Sequence, residues 1–235
     1  MKILSIDCSA TSASVAVCEN EKVVASSFVN VKLTHSETLL PMVENTLLSS
    51  KLTLDDIDAF AINNGPGSFT GIRIGISAVK GMAEPYNKPC VAVSTLYSIA
   101  CMHTNFNGVV CAVMDARCNQ VYNAIFKIQN GKIERICEDR AVMLSEVIGE
   151  LDKFEENIFI AGDGALLFGD YVKNKTNVKI SAEPLMYQNA IGVGLAANEM
   201  LNRGETVTAN ELCPFYLRLP QAERELNAKN SRGEK

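Results

Sequence analysis

The chain has 235 residues, 47% of them hydrophobic, which is enough apolar material for one large domain or two lobes and excludes wholesale disorder. A formal net charge of -5 excludes a protein that grips nucleic acid unaided through many phosphate contacts. The eight cysteines stand apart in apolar segments without a C-x-x-C, and MKILSIDCSA opens directly as a strand, so free thiols in the reducing cytoplasm are expected.

Lys2 to Asp7, Ala13 to Cys18 and Lys22 to Val29 read as a β-meander. Thr34 and Glu37 form a capping-box pattern, and Leu39, Leu40, Val43, Leu47 and Leu48 follow at helical spacing, which predicts a helix from Ser36 to Ser49. Pro41 is read as close enough to its start for the missing amide to cost little. Asp58 to Asn63 is a strand, Gly65, Pro66 and Gly67 a turn, and Ser68 to Glu84 a second helix. Val91 to Val93 and Thr95 to Met102 close the first half as strand and helix. Pro89 to Met114 carries no Asp, Glu, Lys or Arg, but its Ser, Thr, Asn and His residues mark a core segment, and no membrane span is expected.

The second half repeats this order. Val109 to Asp115 ends in Asp as Lys2 to Asp7 does. Gln120 to Lys127 and Lys132 to Cys137 follow as strands, and Leu144 to Leu151 as a helix. Next come a strand from Asn157 to Ala161, a Gly162, Asp163, Gly164 turn, a helix through Tyr171, a strand from Val178 to Ile180 and a helix from Ala190 to Asn202. A duplicated βββαβαβα unit is the layout of the actin-like ATPase superfold, an α/β class with two ribonuclease-H-like lobes. The expected lobes are 1–105 and 106–220, with a polar tail over 221–235.

In that superfold an Asp ends the first strand of each lobe, near nucleotide phosphates and their metal, which makes Asp7 and Asp115 the candidate cofactor-binding residues. The turns after them lack the glycines that let amides wrap a phosphate, so turn capping is the competing reading. Asn63 to Gly75 is a glycine-rich turn feeding a helix, but it is not a P-loop, because no Lys followed by Ser or Thr stands in place. Gly71, Gly75, Ser77 and Ala78 permit close backbone approach, with Ile72, Ile76 and Val79 beside them at helical spacing. They read either as an intermolecular helix face or as packing on the chain's own sheet. His35 and His103 are the only histidines, Leu39 stands where a second metal-binding imidazole one turn on would be, and no metal pair exists. No nucleophile, base and orienting group assemble from local signatures, and Ser68 and Thr70 read as helix-start caps.

NNGPGSFTGIRIG, preceded by LSIDCSATSASVAV and HSETLLP and followed by DARCNQVY and PFYLR, closely resembles the TsaB (YeaZ) family over nearly the whole chain. The resemblance implies a non-catalytic partner of TsaD in threonylcarbamoyl transfer to the adenosine beside the anticodon of tRNAs reading codons that begin with A. TsaD would carry the metal and the chemistry, TsaE the ATPase activity, and tRNA contact would be indirect. This chain would require no cofactor of its own. The helices Ser36 to Ser49 and Ser68 to Glu84 would pair with TsaD, or with a second copy when TsaD is absent. The expected interface residues are His35, Leu39, Val43, Gly71, Ile72, Gly75, Ile76 and Val79. The alternatives are a free-standing ATP-binding phosphotransferase using Asp7 and Asp115, or a peptidase relying on His35.

Overall fold

The computed structural model describes residues 1–218, and the tail expected over 221–235 lies outside them. Strand β1 (Lys2–Asp7) is buried on both faces, with Ile3, Leu4 and Ile6 at 0% exposure. Such a strand needs partners along both edges to satisfy its amides. The rest of the first half follows as β2 (Ala13–Glu19), β3 (Lys22–Val29), α1 (His35–Ser50), β4 (Ala59–Gly65), α2 (Phe69–Ala83), β5 (Cys90–Ser94) and α3 (Thr95–Cys101). β2 pairs with β1 antiparallel and β4 pairs with it in parallel, giving the order β3-β2-β1-β4-β5.

The second half contains β6 (Gly108–Asp115), β7 (Gln120–Gln129), β8 (Lys132–Arg135), β9 (Arg140–Met143), α4 (Leu144–Leu151), β10 (Ile158–Ala161), α5 (Gly169–Val172), β11 (Val178–Ile180), α6 (Glu183–Met186) and α7 (Ala190–Asn202). Its sheet runs β11-β10-β6-β7-β8, so β6 holds the central place that β1 holds in the first. The two sheets share one connectivity, that of the actin-like fold class.

Several local expectations change. The third strand expected over 132–137 ends at Arg135, and a further strand, β9, follows it. After β8 the amides of Ile136 and Cys137 both turn onto the Ile125 carbonyl, and β9 then takes up the free half of β7 from Gln120 to Asn123. The helix expected through Tyr171 is a 3-10 segment, Asp163–Phe168, followed by the one-turn α5. Gly162 and Gly164 lie so near β6 that a Cβ would come 1.9 Å from the Val113 carbonyl oxygen and 2.8 Å from the Met114 carbonyl carbon. Pro41 sits well inside α1, so the Glu37 carbonyl loses its helical donor there. Thr34 occupies the N-cap, but its hydroxyl donates to the Glu37 carboxylate at 2.8 Å instead of accepting from an amide.

The expected boundary at 105/106 falls between the sheets, yet the closing helices cross it. Leu96, Ile99 and Ala100 of α3 pack on Val110, Ala112 and Phe126 of the second sheet. Val193, Ala196 and Ala197 of α7 pack on Ile3, Ala61 and Val91 of the first. The start of α7 is pinned there by a two-way bond, because the Ala190 amide donates to Ser14 Oγ at 2.8 Å and Ser5 Oγ donates to the Ala190 carbonyl at 2.7 Å. At Gly192 a Cβ would lie 2.2 Å from the Ser98 carbonyl oxygen, so α3 and α7 touch backbone to backbone. Each lobe therefore carries an element of the other on its surface, and a cleft remains between them.

Candidate functional site

The cleft has a volume of about 540 Å³. Its first-lobe wall is the turn after β1, with Ser9, Ala10 and Thr11, together with the starts of α1 and α2 at His35 and Ser68. Its second-lobe wall is Asp115, Arg117 and Asp163. Parallel strands leave their C-terminal ends on one edge of a sheet, and each of these turns follows such an end.

Of the two strand-end acids, Asp7 is the one enclosed by its neighbours. Its side chain is fully buried beneath the cleft. Oδ1 accepts from Ser9 Oγ at 2.6 Å, the Ser9 amide at 3.2 Å and Asn63 Nδ2 at 2.8 Å. Burial raises its pKa above the ordinary carboxylate value, against the pull of those donors. Asp7 thus ties the β1 turn to the end of β4, which is the turn-capping reading. Asp115 does reach the cleft, where Oδ1 accepts from the Arg117 amide at 2.7 Å and Oδ2 lies 3.4 Å from the Arg117 guanidinium.

Asp163 is the third acid. Gln188 Nε2 donates to its Oδ1 at 2.8 Å, and burial, with the charges of Asp115 and Asp7 adding to it, lifts its pKa to about 6. In the sequence, Gly162, Asp163 and Gly164 after a strand resemble a second phosphate turn of the superfold, and an ordinary tight turn explains them equally well. The membership of Asp163 in the cleft depends on β10 lying beside β6.

Groups of the first-lobe wall that could face a phosphate are engaged within the chain. Asp7 is enclosed, the Ser68 amide donates to the Ser9 carbonyl at 2.7 Å, and the Gly71 amide donates to Ser68 Oγ at 3.2 Å. Gly67 is needed for contact, since a Cβ there would lie 2.4 Å from the Ser9 carbonyl oxygen. The glycine-rich loop is committed to the β1 turn. Ser68 caps α2 as expected, while Thr70 lies inside the helix. Among the described residues no three His, Cys, Asp or Glu side chains converge as metal ligands. His35 faces the cleft, its Nε2 2.8 Å from the Ala10 carbonyl oxygen. No serine or cysteine is hydrogen-bonded to it among the described residues.

Seven of the eight expected interface residues lie in the chain's own core, His35 being the exception. Leu39, Val43, Ile72, Ile76 and Val79 are between 0 and 5% exposed and belong to the core under the first sheet, with Leu4, Phe60 and Ile62. Gly71 and Gly75 serve the same packing, because a Cβ would lie 2.1 Å from the Cys8 carbonyl oxygen at the one and 2.7 Å from Ile62 Cδ1 at the other. The physical reason is economy of core. A sheet face this apolar must be covered, and burying one large aliphatic side chain contributes about 1.5–3 kcal/mol, which favours the chain's own sheet over solvent. What these helices leave outside is a different set: Leu40 at 56%, Leu48 at 75%, and on α2 the exposed Arg73, Ser77 and Gly81.

The fold and the cleft define an actin-like α/β protein of two duplicated lobes. Consistent with this class, component A of (R)-2-hydroxyglutaryl-CoA dehydratase from Acidaminococcus fermentans superimposes with a TM-score of 0.51 at 15% identity, over 86% of this chain and 98% of that one. The family model for TsaD, tRNA N6-adenosine threonylcarbamoyltransferase, matches residues 29–226. The tRNA threonylcarbamoyladenosine biosynthesis protein TsaB of Escherichia coli is 33% identical over 97% of this chain and 100% of its own length. A Pseudomonas aeruginosa protein described as similar to peptidase YEAZ superimposes with a TM-score of 0.77 at 30% identity, over 92% of this chain and 99% of that one. The chain belongs to this family, among its TsaB (YeaZ) members.

Proposed function

We propose that the chain is a non-catalytic subunit in tRNA threonylcarbamoyladenosine synthesis, acting by docking on a TsaD-type transferase through the outer face of α1 and α2. The observation that carries this reading is a contrast between glycines of one helix. Gly71 and Gly75 are explained by contact with Cys8 and Ile62, whereas a Cβ at the exposed Gly81 would meet nothing within 4 Å. A helical glycine costs about 1 kcal/mol relative to alanine, and no internal contact offsets that cost here. On the neighbouring helix α1, Leu40 and Leu48 are exposed two turns apart with Glu44 between them. Exposed leucines on one helix and the exposed Ser77 and Gly81 on the other suit a partner helix pair.

On this reading the acidic cleft is a structural remnant of the fold, the metal and ATP are held by partner subunits including TsaE, and tRNA is contacted through them. The same face would join two copies when the transferase is absent, and the complex would work in the cytoplasm. The described residues include no helix long and apolar enough to cross a membrane. The test is mass spectrometry of nucleosides from tRNA treated with TsaD and TsaE, with and without this chain. Loss of threonylcarbamoyladenosine on omission supports the subunit role. Full product without the chain overturns it and returns attention to Asp115 and an independent ATP-dependent activity.

A further inference from the structure

We infer that residues 213–218 form a strap that transmits the position of α2 to the second-lobe wall of the cleft. Asn64 Nδ2 donates to the Cys213 carbonyl at 3.2 Å, and the Phe215 amide donates to the Asn64 carbonyl at 2.8 Å. The approach is so close that a Cβ on Gly65 would lie 2.1 Å from the Phe215 carbonyl oxygen. Tyr216 is then gripped by α2, with its ring centroid 4.6 Å from that of Phe69 and its hydroxyl accepting from Arg73 Nε at 2.7 Å. Leu217 packs on the core shared by α3 and the second sheet, and Arg218 Nη1 donates to the Ala116 carbonyl at 2.9 Å. Consecutive residues thus hold the end of β4, the start of α2 and the second lobe.

The receiving end is a turn that needs support. Arg117, Cys118 and Asn119 have φ values of 66°, 55° and 58°, a run of three left-handed residues without glycine, which L side chains resist. It is tied by the Ala116 amide to the Gln120 carbonyl at 3.0 Å, the Gln120 amide to the Arg117 carbonyl at 3.1 Å, the Arg117 amide to Asp115 Oδ1 at 2.7 Å and, from α4, the Leu144 amide to the Asn119 carbonyl at 3.0 Å. Arg218 anchors this turn from outside, at the residue between Asp115 and Arg117 that line the cleft. A shift of α2 therefore pulls Tyr216, and through Arg218 it displaces that wall. That partner docking would drive such a shift rests on the interface proposed above; the strap itself does not.

The experiment is amide hydrogen exchange on the isolated chain, comparing Arg73→Ala and Arg218→Ala with the wild type. Arg73 is exposed and bonds to Tyr216, whereas the segment read out is in the other lobe. Arg73→Ala is expected to speed exchange at Ala116 and Gln120 by roughly fivefold, the effect of one lost hydrogen bond, with β10 unchanged. Arg218→Ala is expected to reproduce the effect at the turn while leaving α2 unchanged. Faster exchange confined to residues 69–73 and 213–217 in Arg73→Ala overturns the inference. So does a uniform rise across the molecule, or an unaltered turn in Arg218→Ala.

Discussion

Gln188 Nε2 donates to Asp163 Oδ1 at 2.8 Å, yet burial and the neighbouring acids still leave the carboxyl with a pKa of about 6 against an ordinary 3.8. Because the folded-state value is raised, the folded protein holds a proton that the unfolded chain releases. The stability from that proton is fully present below about pH 4 and is lost as pH rises to 6. Asp163→Asn keeps an acceptor for Gln188 and removes the charge. It is expected to raise stability at pH 7 by on the order of 1–3 kcal/mol and to flatten the dependence between pH 4 and 6. Urea unfolding at pH 4.5 and 7 checks this; equal effects at both pH values refute it.

His103 runs the other way. Burial lowers its pKa below the ordinary 6.5, and the neutral ring bridges α3 to the end of β11, with Nδ1 3.0 Å from the Ile99 carbonyl and Nε2 2.7 Å from Ser181 Oγ. Nδ1–H donates to the carbonyl and Nε2 accepts from the serine hydroxyl. The unfolded chain takes up a proton that the folded ring resists, so stability is intact above 6.5 and declines as pH falls below it. Thermal melts between pH 7.5 and 5 should show a decline that His103→Gln lessens.

The three glycines of α2 separate by mechanism. Gly71→Ala would drive a Cβ into the Cys8 carbonyl oxygen at 2.1 Å, a backbone clash, and is expected to cost about 3 kcal/mol or more. Gly75→Ala meets the tip of Ile62 at 2.7 Å, a side chain able to shift, and should cost less. Gly81→Ala meets nothing and should stabilise the isolated chain by about 0.5–1 kcal/mol. Chemical denaturation of the three variants tests the ranking.

Leu48→Asp places a charge on a side chain already 75% exposed, so the fold should keep its melting temperature while transferase docking weakens at least tenfold. Ile76→Asp, at 4% exposure, is instead expected to unfold the chain, and loss of pairing there would say nothing about the surface. Light scattering of Leu48→Asp with the transferase is decisive: undiminished pairing removes this face as the interface.

The duplicated order of elements, the Asp-ended first strands β1 and β6 and the family resemblance were legible in the residues themselves, because alternation, helical period and glycine turns are local signals. The halves of the cleft were legible only as strand-end acids. Which of them faces the solvent was not, since Asp7 and Asp115 occupy equivalent strand ends and differ in what encloses them. Asn63 comes from 56 residues away to bind Asp7, while Asp115 meets its own Arg117.

The amphipathic period of α1 and α2 showed that apolar residues recur, and the tertiary structure decided which of them the sheet claims. Leu39 and Val43 went to the core, while Leu40 and Leu48, equally apolar in sequence, were left outside. The return of α7 to the first lobe and the PFYLR strap were invisible for the same reason: both are contacts between segments roughly a hundred or more residues apart. A sequence written in 3.6- and 2-residue periods records which face of an element is apolar, but only the packed chain determines what that face meets.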